Sequence, residues 1–338
     1  MQAYRLHFGR GLDSLERVEL PAPTLSPQGV RLRLRAVALN YRDLMIAEGS
    51  YPLASPDLLV PCSDGAGEVV EVGPEVTRFR PGDRVMPAFF TGWIDGPPTP
   101  EKTAASLGGG GVGLLAEEVV LPESALVAIP PHLDFAEAAC LPCAGVTAWN
   151  ALFVVGALRP GASLLLLGTG GVSIVALQIA RAAGLRAFVT SSSDEKLARA
   201  RALGADVTVN YRSTPEWQEV VLEETGGRGV DLVVEVGGQA TLSRSLAATR
   251  LGGTLAVIGG LGGFGAELGP MPLIGGAKRL EGILVGSRVM LEELARFVAV
   301  TGLRPAVDRV FPFAEAPEAF RHLEAARHFG KVAIAVGD

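Results

Sequence analysis

The chain of 338 residues has little of what builds metal centres and disulfide frameworks, with three cysteines and four histidines. Cys62, Cys140 and Cys143 are odd in number and lack the four-cysteine set of a structural zinc lobe, so they read as reduced thiols. His7, His132, His322 and His328 show neither an HExxH motif nor another ligand spacing and read as surface or packing residues. Apolar runs stay far below the ~20 residues that span a bilayer, which argues against a membrane helix. The N-terminus, MQAYRLHFGRG, has neither a basic start nor an apolar core, so no signal peptide is expected and the cytoplasm is the expected location. A net charge of -6 without a basic block disfavours a nucleic-acid surface. What remains is a globular chain, 48% apolar and long enough for two cores.

Its organising stretch is 164–185, LLLLGTGGVSIVALQIARAAGL. Four leucines break at Gly168-Thr-Gly-Gly and give way to helical spacing at Val172, Val175, Ala176, Ile179 and Ala180. That is strand, glycine turn, helix. Such a turn aims the amides of a helix N-terminus at one point and lets backbone approach it, as a dinucleotide pyrophosphate requires. Ser173 stands where G-x-G-x-x-G has its third glycine. Residues 1–125 alternate short apolar strands with turns and predict a barrel-like β domain. The stretch 89–113, rich in glycine and proline, reads as a long loop, either a surface excursion or a lid. From residue 126 a helix leads to the glycine turn, after which strands and helices alternate, predicting a doubly wound parallel sheet over 126–289. Residues 290–338 return to the first domain's style.

Five ordered stretches carry a likeness to a known family: NYRDLMIAEGSYP from Asn40, DGAGEVVEVGPEVTRFRPGDRV from Asp64, LPCAGVTAWNAL from Leu141, GTGGVSIVALQIA from Gly168 and SSSDEKLARARALGADVTVNYR from Ser191. Together they resemble the medium-chain dehydrogenase/reductase superfamily, most of all its zinc-free quinone oxidoreductase and alcohol-dehydrogenase-like branch. The resemblance implies an α/β protein in which a Rossmann domain joins a GroES-like β-barrel catalytic domain. Zinc-dependent relatives hold their catalytic ion with a cysteine, a His-Glu pair and a second cysteine. Those positions here are Asn40, Ser63-Asp64 and Cys143, so no zinc is expected. An unorthodox set built on Asp64 and Cys143 is the alternative.

The cofactor turn is assigned to Gly168, Gly170, Gly171 and Val172. Ser191 falls where an NAD-specific domain places an acid, and Lys196 and Tyr211 match positions that relatives use for a 2'-phosphate, so NADPH is expected over NADH. The resemblance also implies Thr147 and the 257–260 turn, including Gly259, beside the nicotinamide, and Arg288 towards the diphosphate. Asn40, Tyr41 and Tyr51 supply an amide and two phenols as candidate catalytic donors, the tyrosines having packing as their alternative. Arg42 and Asp43 read as a structural pair or cap, and Asp64 as an orienting group or a turn residue. The expected reaction is hydride transfer to a quinone or an enone. The alternatives are a zinc-free carbonyl reductase or alcohol dehydrogenase, and a non-catalytic cofactor-binding protein. Pocket lining is expected from 89–113 and 261–272, and a homodimer seam along the edge strand GILVG.

Overall fold

A computed structural model describes residues 1–52, 56–265 and 268–337. The chain forms two compact units, one of residues 1–146 with 285–338 and one of residues 147–284.

Alternation builds the first unit. The strand Gly29–Ala38 buries Val30, Leu32 and Leu34 and turns Arg31, Arg33 and Arg35 to the opposite face. It lies inside a seven-stranded sheet ordered Val307–Pro312, Lys331–Ala335, Gly29–Ala38, Asp64–Val72, Arg84–Pro87 and Leu126–Ala128, with Glu118–Pro122 also paired to Gly29–Ala38. A smaller sheet pairs Gln2–His7 with Glu16–Glu19 and Leu58–Leu59. Both pack on one core that includes Leu6, Leu32, Ile46, Leu114, Phe320 and Ile334. The helix Ala316–Glu324 closes that core with Ala316, Ala319, Phe320 and Leu323, one face at helical spacing.

The stretch 89–113 is a long loop with a largely exposed middle, 94–105, and buried ends. Phe89, Phe90 and Trp93 are buried in a cluster of their own, and Phe90 forms an isolated bridge with Ser106. Its later glycines allow close packing on the segment before Asp64, since a Cβ at Gly113 would lie 1.7 Å from the Val60 carbonyl oxygen.

The second unit is a six-stranded parallel sheet in the order Val207–Asn210, Arg186–Ser191, Ser163–Leu167, Val230–Glu235, Thr249–Val257, Arg279–Gly282. Numbered along the chain this is 3-2-1-4-5-6, the doubly wound dinucleotide order. All five residues of Ser163–Leu167 are buried, as a central strand covered on both faces requires.

The expected boundaries shift. Leu126–Ala128 pairs with Arg84–Pro87, and the helix Phe135–Ala139 packs on Gly29–Ala38 and Asp64–Val72, so residues 126–146 belong to the first unit. The parallel sheet ends at Gly282, and residues 285–289 return to the first unit.

Candidate active site

Two strand pairings converge on Asn40. Ala38 lies opposite Asp64 on one side and opposite Ala333 on the other. Antiparallel register therefore carries Lys331 alongside Asn40, two residues beyond that pair. Gly330, just before Lys331, lets the chain pass close to Ala306: its φ is +78°, and a Cβ there would lie 2.4 Å from the Ala306 carbonyl oxygen.

Asn40 lies two residues past the strand, still in extended conformation, at the N-cap of the helix Tyr41–Glu48. Its backbone N–H donates to Asp43 Oδ2 at 2.8 Å. Its side chain faces Lys331 instead. Lys331 Nζ donates to Asn40 Oδ1 and to the Leu39 carbonyl, each at 2.6 Å, and lies 3.9 Å from Asp64 Oδ2. Asn40 Nδ2 donates to Ser63 Oγ at 3.4 Å, and Ser63 Oγ donates to Asp64 Oδ1 at 2.9 Å. The Cys143 amide donates to Asp64 Oδ2 at 3.1 Å. Lys331 and Asp64 are both buried, 2% and 0% exposed. Burial raises the Asp64 carboxyl above its ordinary value, against the pull of Lys331 and the bonds from Asn40, Ser63 and Cys143. Burial, followed by Asp64, pushes the Cys143 thiol well up, so it stays protonated.

A second buried pair adjoins the first. Arg42 Nη1 lies 3.5 Å from Asp43 Oδ1, and the guanidinium donates to the Leu107 carbonyl at 2.9 Å and Ser106 Oγ at 3.1 Å. It also lies over the rings of Tyr51 at 4.7 Å and Phe89 at 5.0 Å. Arg42 and Asp43 are thus a structural pair. Tyr51 is half-buried beneath Arg42, whereas Tyr41 is 49% exposed and is not drawn into either group.

In the second unit, Gly168 takes φ +74° and Gly170 starts the helix Gly171–Ala182 in extended conformation. A Cβ at Gly168 or Gly170 would meet nothing within 4 Å, leaving the helix entrance open. Gly171 and Val172 form its first turn. Ser173 tolerates the third glycine's position because its hydroxyl turns inward and donates to the Leu167 carbonyl at 2.7 Å. Ser191 ends its strand buried, and the Tyr211 amide donates to its carbonyl at 3.0 Å. Lys196 lies in the first turn of the next helix, capped by Ser193, and Tyr211 follows the edge strand, 41% exposed.

Residues 26–131 match the family described as alcohol dehydrogenase GroES-like domain, and residues 171–300 match zinc-binding dehydrogenase. A zinc-type alcohol dehydrogenase-like protein of Schizosaccharomyces pombe is 43% identical over 333 residues, covering 96% of each chain. The chain belongs to the medium-chain dehydrogenase/reductase superfamily. Among solved members, an NAD-dependent alcohol dehydrogenase superposes with TM-score 0.90 at 37% identity over 100% of both chains. A quinone oxidoreductase of Pseudomonas syringae pv. tomato DC3000 does so with TM-score 0.83 at 29% identity over 99% of both. This medium-chain dehydrogenase/reductase is accordingly an NAD(P)-dependent oxidoreductase.

Several expected positions behave differently from the family reading. Arg288 does not end a strand of the parallel sheet; it opens the helix Arg288–Thr301 of the first unit and pairs with Glu292, which also binds Arg78 at 2.9 Å. Thr147, buried, and Gly259, just past the strand Thr249–Val257, stay in the second unit. Of the stretch 261–272, residues 266 and 267 lie outside the described residues.

Sequence reasoning missed Lys331, whose neighbourhood to Asn40 exists only through strand pairing. It also missed Glu235, a fully buried carboxylate that accepts from the amides of Gly237 at 2.7 Å and Gly238 at 3.0 Å, from Thr241 Oγ1 at 2.6 Å and from Ser245 Oγ. Four donors make Glu235 the clasp that folds the chain back after its strand.

Proposed function

We propose that the protein is a zinc-independent, NADPH-dependent reductase of enones or quinones. The observation that carries this reading is the ammonium of Lys331 among the residues that replace the zinc ligands. The donor set does not fit a catalytic zinc. Asn40 Oδ1 is occupied by an ammonium at 2.6 Å, and Ser63 and the Cys143 amide engage both Asp64 oxygens. Among the described residues no three His, Cys, Asp or Glu side chains gather closely enough to hold a metal ion.

Hydrogen-bond donors then have to steady the charge that develops on the acceptor oxygen. Asn40 Nδ2 is assigned that role. The nicotinamide, when bound, supplies the hydride. In an enone the β-carbon gains the hydride, the C=C electron pair moves to the carbonyl oxygen to form an enolate, and the α-carbon takes a proton from Tyr51 or solvent. A delocalised acceptor of this kind needs less Lewis-acid help than a simple ketone, which favours enones and quinones at a site organised by hydrogen bonds.

The open turn at Gly168 and Gly170, with the amides of Gly171 and Val172, would hold the diphosphate; Thr147 and Gly259 would flank the nicotinamide. Ser191 offers no carboxylate to repel a 2'-phosphate, and Lys196 and Tyr211 would receive it. Three unpaired cysteines favour the cytoplasm. The similarity to alcohol dehydrogenases supports a second reading, reduction of C=O.

Incubation with NADPH and cyclohexenone, followed by mass and retention analysis, tests the choice. Cyclohexanone is the expected product. Allylic alcohol would move the assignment to carbonyl reduction. No turnover of cyclohexenone or of a quinone would overturn the proposal.

A further inference from the structure

We infer that Lys331 is a positioning residue whose ammonium locks the Asn40 carboxamide with its N–H, and not its C=O, available to the acceptor oxygen. This rests on the role assigned to Asn40 above.

The orientation of an asparagine amide has to be read from its partners. An ammonium carries three donors and no acceptor, so the Asn40 atom 2.6 Å from Lys331 Nζ must be the oxygen. The nitrogen then points away from the lysine. Ser63 Oγ spends its own proton on Asp64 Oδ1 and is left to accept from Asn40 Nδ2. Every bond in the series Lys331, Asn40, Ser63, Asp64 thereby runs in one direction, from a buried cation to a buried carboxyl. One Nδ2 proton is directed to Ser63 and the Asp64 carboxyl beside it, and the second serves the acceptor oxygen. A carboxamide whose oxygen is bound to a cation is also a stronger donor through nitrogen. The positive charge that a metal would place on the substrate oxygen reaches it here through one amide.

Simple neutralisation of Asp64 does not account for this geometry. A lysine held only for that purpose would approach the carboxylate, but Lys331 remains 3.9 Å from it and makes its short bonds to Asn40 Oδ1 and the Leu39 carbonyl. The Leu39 bond fixes Nζ to backbone, so the cation stays beside Asn40.

A double-mutant cycle reads the coupling, using Asn40→Ala, Lys331→Met and the double variant, with kcat for cyclohexenone, NADPH affinity by fluorescence and thermal midpoint. Asn40→Ala should lower kcat by about 100-fold, the usual consequence of losing one oxyanion donor. Lys331→Met should lower it by about 10-fold or more with NADPH affinity unchanged, and the double variant should be no slower than Asn40→Ala, since Lys331 acts through an amide already removed. Unchanged kcat in Lys331→Met, or losses that multiply in the double variant, would overturn the inference. Unchanged kcat in Asn40→Ala would instead overturn the assignment of Asn40 itself. Should Lys331→Met fail to fold, Asn40→Asp keeps an oxygen towards the lysine and removes both Nδ2 protons, the outward N–H together with the long bond to Ser63. That variant should stay folded and lose kcat as Asn40→Ala does; wild-type kcat in it would contradict the orientation.

Discussion

Arg42, Asp43, Asp64 and Lys331 are all buried in the first unit, where an unpaired charge would cost several kcal/mol. Pairing offsets that cost unevenly. Burial outweighs Arg42 at Asp43 and raises its carboxyl from 3.8 to about 6, while Arg42 itself, lowered by burial but raised more by Asp43 and Tyr51, ends above its ordinary value. The sign follows from linkage. The folded state keeps its proton on Asp43 after the unfolded chain has released it, so Asp43's contribution to stability falls as pH rises from about 4 to about 6 and is level above. Urea unfolding of wild type and Asp43→Asn across that window should show wild type losing up to about 3 kcal/mol relative to the variant; parallel curves would contradict the shift. Asn40, Asp64 and Cys143 could be found in the sequence because each stands in a motif at a family position. Lys331 could not. It reaches Asn40 across 291 residues through a register that the sequence pattern leaves open.

At the scale of elements, the glycine turn was the most legible feature, because four buried leucines, a left-handed Gly168 and a helical apolar face all point to the same geometry. Gly170 gives this a direct test. Its backbone is extended and nothing lies within 4 Å of a Cβ there, so Gly170→Ala should change stability by no more than about 1 kcal/mol, a helix-cap effect. NADPH affinity should nonetheless fall by about 10-fold or more, since the added methyl occupies space assigned to the diphosphate; unchanged affinity would remove the turn from the cofactor site. Ser191→Asp should shift preference from NADPH towards NADH by about 10-fold or more, read as the ratio of kcat/KM for the two cofactors. The stretch 89–113 is the long loop its glycine and proline density marks, but the burial of its ends was not legible. The later glycines admit close backbone packing, Arg42 holds Ser106 and Leu107, and the aromatic side chains bury one another. Boundaries failed similarly at 126–146, where the pairing of Leu126–Ala128 with Arg84–Pro87, absent from any local pattern, decides membership.

For the whole molecule, the two-domain order and the doubly wound sheet were readable from the rhythm of strands and helices, whereas the return of residues 285–289 to the first unit was not. The expected seam strand GILVG keeps only Gly282 in the sheet; the edge strand is Arg279–Gly282, unpaired on its outer side among the described residues, and Leu261, Phe264, Met271, Ile274 and Leu280 are exposed in the same unit. We propose that a second copy pairs there. Light scattering after gel filtration should give a dimer that Leu280→Lys dissociates without unfolding; a monomeric wild type would contradict the seam. The central claim is that acceptor activation relies on the Lys331–Asn40 arrangement and needs no zinc. It is tested most directly by measuring cyclohexenone reduction with NADPH before and after exhaustive chelation, with metal content determined on the same samples. The account predicts cyclohexanone formed at an unchanged rate and no stoichiometric zinc. Stoichiometric zinc, lost together with activity and restored with it on adding the metal back, would contradict it.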